Sequence, residues 1–319
     1  AEIREALETR SAPRAQPPGG DPPRPNASSS DEADTTEEEV GPTAPLAGVK
    51  ILDLMWVIAG PGATRILADY GATVVRVETA ARPDACRTLR PSLDGKPGAE
   101  RSALFHSTNA GKRMLSLDLS KEAGRKVLLD LVQWADVVAE SFSPRAMRAW
   151  GLDYESLRRL KPDVILLSSC LMGQTGPQAG FAGFGNLAAA VTGFYELTGW
   201  PDRPPAGPWG AYTDYIAPRY GAIAVLAALE LRRRTGQGQH IDLSQAEAAL
   251  HFLAPALLDF TANGRVQTRI GNRDPQTAPH GVYPASGEDR WLALAVEDDA
   301  SWQRLCAILG RPDLAADSR

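Results

Sequence analysis

The sequence predicts an α/β protein: a doubly wound, Rossmann-like parallel sheet followed by the start of a smaller second domain. Three observations predict it. An apolar run, a glycine-rich turn, a helical stretch and a β-branched run follow one another over residues 49–78, and a βαβ unit of this kind requires parallel strands with a right-handed crossover. Strand-like and helix-like stretches then keep alternating to about residue 260, which is the pattern of a sheet covered on both faces. After Thr261 the chain turns polar and rich in Gly and Pro before one more strand-like and one more helix-like stretch. A length of 319 residues leaves room for about two domains.

Taken in order, residues 1–10 read as one short helix, and residues 11–43 are rich in Pro, Gly, Ser and acidic residues with no aromatic side chain. Such a stretch cannot bury enough apolar surface to fold. Residues 1–44 are therefore expected to be a disordered linker or the remnant of a preceding domain, as in a tandem protein. A large α/β domain is expected over 45–260, a connector over 261–285, and the incomplete start of a small domain over 286–319. Within the large domain the strands are expected at 49–54, 73–78, 136–139, 164–168 and 240–243. Helices are expected from the turn Ala59-Gly60-Pro61-Gly62 to about Tyr70, over 121–134, 143–159 and 245–260. The stretch 207–244 reads as a loop carrying Asp214, a helix with Pro218 in its first turn, and a glycine stop at Gly236 and Gly238. A strand at 291–296 and a helix at 300–310 close the chain.

Composition narrows the function. Hydrophobic residues make up 43% and charged residues 23% of the chain, as in soluble globular proteins. A net charge of −5 gives no bulk attraction to nucleic acid or to an anionic membrane. No apolar run approaches the roughly 18–20 residues that span a bilayer. Cys86, Cys170 and Cys306 are far apart and lack CxxC spacing, which argues against a disulfide framework and for a reducing, cytoplasmic setting. The four histidines have no metal-ligand spacing and no G-x-S-x-G nucleophile motif occurs, so no metal site and no serine hydrolase is expected.

Four places carry chemistry. Asp214 is either an ordinary cap or loop carboxylate, or a nucleophile or general base held ahead of a rigid helix. Gly60 and Gly62 lie between strand and helix with Glu78 closing the next strand, which suggests a dinucleotide site. However, the turn is not G-x-G-x-x-G, and Pro61 removes a backbone donor. Asn109, Lys112 and Arg113 form a basic cluster that is either solvated or suited to phosphate. Gly173 and Gln174 follow the strand at 164–168, where ligands bind in open α/β sheets.

From Pro45 onward the chain resembles the class III CoA-transferase family, which includes formyl-CoA and carnitine CoA-transferases, with alpha-methylacyl-CoA racemase as a relative. The stretches that carry the likeness are PLAGVKILDL, AGPGATRILADYGATVVRVE, NAGKRMLSLDL, GQTGP, TDYIAPRYGAIAVLAALELRRRTGQGQHIDLS and RIGNRDPQTAPHGVYP. The resemblance implies an interlocked dimer fold, or an intramolecular pairing in a tandem protein. It implies no tightly bound cofactor, with coenzyme A or acyl-CoA and a small carboxylic acid as substrates. It makes Asp214 the nucleophile, forming an acyl mixed anhydride and then an aspartyl-CoA thioester. It places Ile58, Ala59, Gly60, Pro61, Glu78, Asn109, Lys112 and Arg113 against CoA, and Gly173, Gln174, Phe184, Gly271 and Asn272 around the acyl group. Formyl-CoA transferase has Gln at the position of Ile58 and Tyr at that of Phe184, so small dicarboxylates such as oxalate are disfavoured. Ser141 stands where an Asn precedes Phe142 in the family. Racemase relatives carry a His at the position of Phe184, which disfavours racemisation. The alternatives are an acyl-CoA racemase or isomerase, and a catalytically silent CoA-binding half.

Overall fold

A computed structural model describes residues 44–316; the expectations for residues 1–43 lie outside them. Six parallel strands form one sheet: Lys50–Asp53 (β1), Thr73–Glu78 (β2), Arg113–Ser116 (β3), Val137–Glu140 (β4), Ile165–Cys170 (β5) and His240–Ser244 (β6). Their spatial order is β3-β2-β1-β4-β5-β6, the doubly wound order with its switch point between β1 and β4.

Both faces of the sheet are covered, and alternate side chains of each strand feed different cores. Ile51, Val74, Val137, Ile165 and Leu167 point to one face. That face is closed by the helices Ala59–Asp69 (α1) and, later in the chain, Tyr212–Thr235. Leu52, Val77, Val138 and Leu166 point to the other. There they meet Leu128 and Val132 of Glu122–Trp134, which is α3 after the short helix α2 (Ala103–Asn109). The same face is completed by Pro144–Trp150 (α4) and Tyr154–Leu160 (α5) through Met147 and Leu157.

After β5 come Gly185–Thr192 (α6) and Phe194–Leu197 (α7), then the long helix Tyr212–Thr235 (α8). Small residues let α1 and α8 approach closely: a Cβ on Gly62 would stand 3.0 Å from the Pro218 ring, and one on Gly221 3.1 Å from Ala63. Gln245–Leu250 (α9) and Ala254–Asn263 (α10) follow β6. A separate two-stranded antiparallel sheet pairs His280–Pro284 (β7) with Trp291–Ala295 (β8), and Asp299–Leu309 (α11) and Pro312–Ala315 (α12) come last.

The structure corrects several boundaries. The stretch Ala59-Gly60-Pro61-Gly62 is the first turn of α1, not a turn before it; a helix leaves its first N–H groups unbonded, so Pro61 loses nothing there. The expected helix over 143–159 breaks at Gly151, whose φ of 66° makes a left-handed stop. The one over 245–260 breaks at a 3-10 turn, His251–Leu253, with Pro255 starting the second piece. The connector expected over 261–285 contains β7, a strand made by its antiparallel partner rather than by its own sequence HGVYP. Finally, α8 begins at Tyr212, so Pro218 lies inside the helix and Asp214 in its first turn.

Candidate active site

Ligands of open α/β sheets bind outside the carboxyl ends of the strands, at the switch point. A cavity of about 200 Å³ lies there. The segment after β1 supplies Trp56, Ile58, Ala59 and Gly60, and the segment after β4 supplies Ser141 and Phe142. The end of β5 supplies Ser169 and Cys170, the loop before α6 adds Phe181 and Phe184, and Asp214 and Gln245 line it as well. Five of the expected site residues thus meet in one cavity: Ile58, Ala59, Gly60, Phe184 and Asp214.

Asp214 is buried, with 6% of its surface exposed. Its Oδ1 accepts a hydrogen bond from Gln245 Nε2 at 2.5 Å, and the Gly185 backbone N–H donates to the same carboxylate. Burial pushes its pKa above the ordinary carboxylate range, a rise that Gln245 and Gly185 only partly offset. Four residues on, the Pro218 ring cannot donate to the Asp214 carbonyl, so that carbonyl lacks its helical partner. Gly185 opens α6 directly against Asp214: a Cβ there would stand 2.6 Å from Oδ1 and 2.9 Å from the Asp214 backbone N. Only glycine fits.

Gln174 braces the cavity from behind rather than lining it. Its Nε2 donates to Cys170 Sγ at 3.0 Å and to Glu140 Oε1 and the Phe142 carbonyl at 3.4 Å each. Its backbone N–H, next to Gly173 with φ 81°, is tied to Asp242 Oδ1 at 2.7 Å. Burial pushes Glu140 up to about 7, against the opposing hydrogen bonds from Ser168 and the Phe142 N–H. Burial also raises the Cys170 thiol to about 12, which keeps it protonated and a poor nucleophile at neutral pH.

The basic cluster departs from expectation. Lys112 and Asp53 are fully buried side chains, with Nζ donating to Asp53 Oδ2 at 2.9 Å, to the Pro61 carbonyl at 2.8 Å and to Asn109 Oδ1 at 3.0 Å. Asn109 Oδ1 also accepts from Arg76 at 2.6 Å, and Arg76 pairs with Asp84. Burial raises the Asp53 carboxyl, but Lys112 and Arg76 outweigh it and hold it below the ordinary range. Asn109 and Lys112 therefore do not reach outward to a phosphate. Lys112 faces the carboxylate at the end of β1 and anchors the first turn of α1, which carries the cavity wall, while Asn109 Oδ1 bridges Lys112 and Arg76. Pro61 is buried beneath that wall. Arg113 is exposed at the start of β3.

Three further expected residues, Glu78, Gly271 and Asn272, fall outside the Asp214 cavity. Glu78 is held below the ordinary range: burial raises it, but Arg87, bonded to it at 2.7 and 3.0 Å, prevails. That pair lines a second cavity of about 350 Å³ beside β3. Gly271 donates to the Gly199 carbonyl at 2.9 Å under the Trp200 ring, and the Asn272 carbonyl meets His280 Nδ1 at 2.7 Å.

Gln245, Gly185 and Thr213 were not singled out from the sequence. Thr213 Oγ1 donates to the Gly185 carbonyl at 2.8 Å and accepts from Gln245 at 2.9 Å. The signal for Gln245 was present: Ser244-Gln-Ala-Glu247 is a capping box, and Ser244 Oγ accepts from the Glu247 N–H at 3.2 Å. A polar residue opening a helix straight after a strand faces the ligand edge of the sheet.

A family model described as CoA-transferase family III matches residues 46–319. The chain belongs to that family. It is 39% identical to the succinate–glutarate CoA-transferase of Agrobacterium fabrum, over 86% of this chain and 69% of that one. It is 36% identical to the acetyl-CoA:oxalate CoA-transferase of Acetobacter aceti, over 87% of this chain and 70% of that one. A crystal structure of a CAIB/BAIF family protein from Brucella suis superposes with a TM-score of 0.76 at 37% identity, covering 86% of this chain and 72% of that one. As a family III CoA-transferase the chain is an enzyme that uses CoA thioesters. Among the described residues no helix is long and apolar enough to cross a membrane, and no cluster of His, Cys, Asp and Glu is arranged to hold a metal ion.

Proposed function

We propose that this enzyme moves CoA from an acyl-CoA donor to a carboxylic acid through covalent intermediates on Asp214. One observation carries the reading: a buried carboxylate with raised pKa, held by neutral donors, opens onto the cavity at the switch point. Such a carboxylate is more basic than a solvated one and so a better nucleophile once ionised. Asp214 attacks the thioester carbonyl, the C–S bond breaks, and a mixed anhydride and CoA thiolate result. The thiolate attacks the Asp214 Cγ and expels the donor carboxylate, leaving an aspartyl-CoA thioester. The acceptor carboxylate then reverses the two steps.

Water would hydrolyse both intermediates, and the side chains of Trp56, Ile58, Phe142 and Phe184 give the cavity apolar walls that oppose its entry. The relatives named for succinate, glutarate and oxalate support a dicarboxylic acid as one partner. Ile58 and Phe184 favour chains longer than oxalate. Free Cys86, Cys170 and Cys306 suit a reducing cytoplasm. The apolar side chains Phe252, Leu258, Phe260 and Trp291, each more than half exposed, support assembly with a second copy.

The test is intact mass spectrometry of the full-length protein after incubation with succinyl-CoA, glutaryl-CoA and longer acyl-CoAs, followed by hydroxylamine or borohydride trapping. An acyl or CoA adduct mapping to Asp214 and absent in Asp214→Asn is expected. Transfer that survives Asp214→Asn would overturn the proposal.

A further inference from the structure

In the proposed cycle Asp214 plays two opposite parts. It attacks as a carboxylate, and it is then attacked at its own Cγ, first by CoA thiolate and later by the acceptor carboxylate. In each attack on Cγ the new bond forms as the carbonyl π pair moves onto an Asp214 side-chain oxygen. The tetrahedral intermediate then collapses by expelling a carboxylate or a thiolate, and no proton is needed. A full negative charge therefore develops on that oxygen, where the anhydride or thioester carried a neutral carbonyl. A donor already aimed at it stabilises the intermediate more than the state before it.

One donor stands there at hydrogen-bond distance: Gln245 Nε2 lies 2.5 Å from Oδ1, with the Gly185 backbone packed beside the same carboxylate. The orientation of the Gln245 amide follows from its neighbours. The Thr213 hydroxyl directs its proton to the Gly185 carbonyl at 2.8 Å, so it can only accept from Gln245 at 2.9 Å, and an ionised Asp214 likewise only accepts. Both demand the NH₂ end. Gln245 is 6% exposed and sits on the first residue of α9, whose start is pinned by the Ser244–Glu247 capping box. It is a rigid, desolvated donor, the kind that is worth most when charge appears.

We infer that Gln245 forms the oxyanion site for the steps in which Asp214 is the electrophile, and is thus a further catalytic residue. The inference rests on the reading of Asp214 as the carrier of both intermediates.

Gln245→Met keeps the bulk and removes the donor. The expected result is a fall in kcat of about 10²–10³-fold, with KM within about threefold. Because the attack on Cγ is slowed, trapping is expected to find acyl mass on Asp214 and free CoA thiol in place of the CoA adduct. Gln245→Glu keeps the shape and donates only when protonated, so its kcat is expected to rise as pH falls from 8 toward 5.5, where the parent's does not. This second variant decides the matter if the first fails to fold. A Gln245→Met enzyme with near-parental kcat, or a Gln245→Glu enzyme that follows the parent's pH profile, would overturn the inference while Asp214→Asn stays inactive. Transfer surviving in Asp214→Asn would instead remove the underlying reading.

Discussion

Replacing Gly185 by alanine should damage catalysis more than folding, and the geometry sets the size. The added methyl would stand 2.6 Å from Oδ1, 2.7 Å from Cγ and 2.9 Å from the backbone N of Asp214. Carbon atoms settle at about 3.5 Å or more, so the Asp214 side chain or the start of α6 must give way by about 0.8 Å. The backbone atom among those neighbours belongs to the first turn of α8 and cannot rotate aside. Overpacking of this kind costs about 1–3 kcal/mol. A displacement of about 1 Å at a reacting group costs about 10²-fold in rate. The expected Gly185→Ala enzyme is folded, melts a few degrees lower, and has kcat reduced about 100-fold with KM for acyl-CoA little changed. Steady-state kinetics and thermal unfolding measure both quantities. A Gly185→Ala enzyme with parental kcat would refute the claim that this glycine seats the nucleophile.

Two further outcomes separate structural from ligand-binding roles. Lys112→Met strands Asp53 as a buried carboxylate and should lower stability by about 3–5 kcal/mol in urea unfolding; a raised KM for CoA with unchanged stability would instead restore Lys112 to the CoA site. Glu140→Gln tests the carboxyl lifted from 4.5 to about 7. Between those values the native state holds a proton that the unfolded chain has released, so stability falls as pH rises through the window, by about 3 kcal/mol in total. The glutamine variant should flatten that part of the stability–pH curve, and an unchanged slope between pH 4.5 and 7 would contradict the assignment.

Residues whose role follows from local periodicity were legible in the sequence. β2 falls on the expected residues, because TVVRVE is a β-branched run between turn residues. Asp214 was legible as a residue and not as a position, because Pro218 reads as a helix start. It is tolerated six residues inside α8, where it packs on Gly62 of α1. Lys112 was legible as a basic residue but not as a buried one. Its sequence neighbours are polar, but the partner that fixes it, Asp53, lies 59 positions away on β1. Gln245 sits in a capping box that the sequence displays, but its role and that of Gly185 exist only relative to Asp214, a relation made by the fold.

The close seam between α1 and α8 divides the cavity into two mechanically different halves. Ile58, Ala59 and Gly60 ride on or just ahead of one helix and Asp214 on the other, and the Gly62–Pro218 and Gly221–Ala63 contacts lock the pair together. That half carries the proposed nucleophile, and a side chain thickened anywhere along the seam would displace the wall and Asp214 with respect to each other. The opposite wall, from Ala179 to Phe184, is loop, the kind of segment that accepts exchange and insertion. If Asp214 carries the transfer as proposed, divergence or engineering of acid preference has a natural address in residues 179–184, where the acceptor's shape can be renegotiated without disturbing that carboxylate.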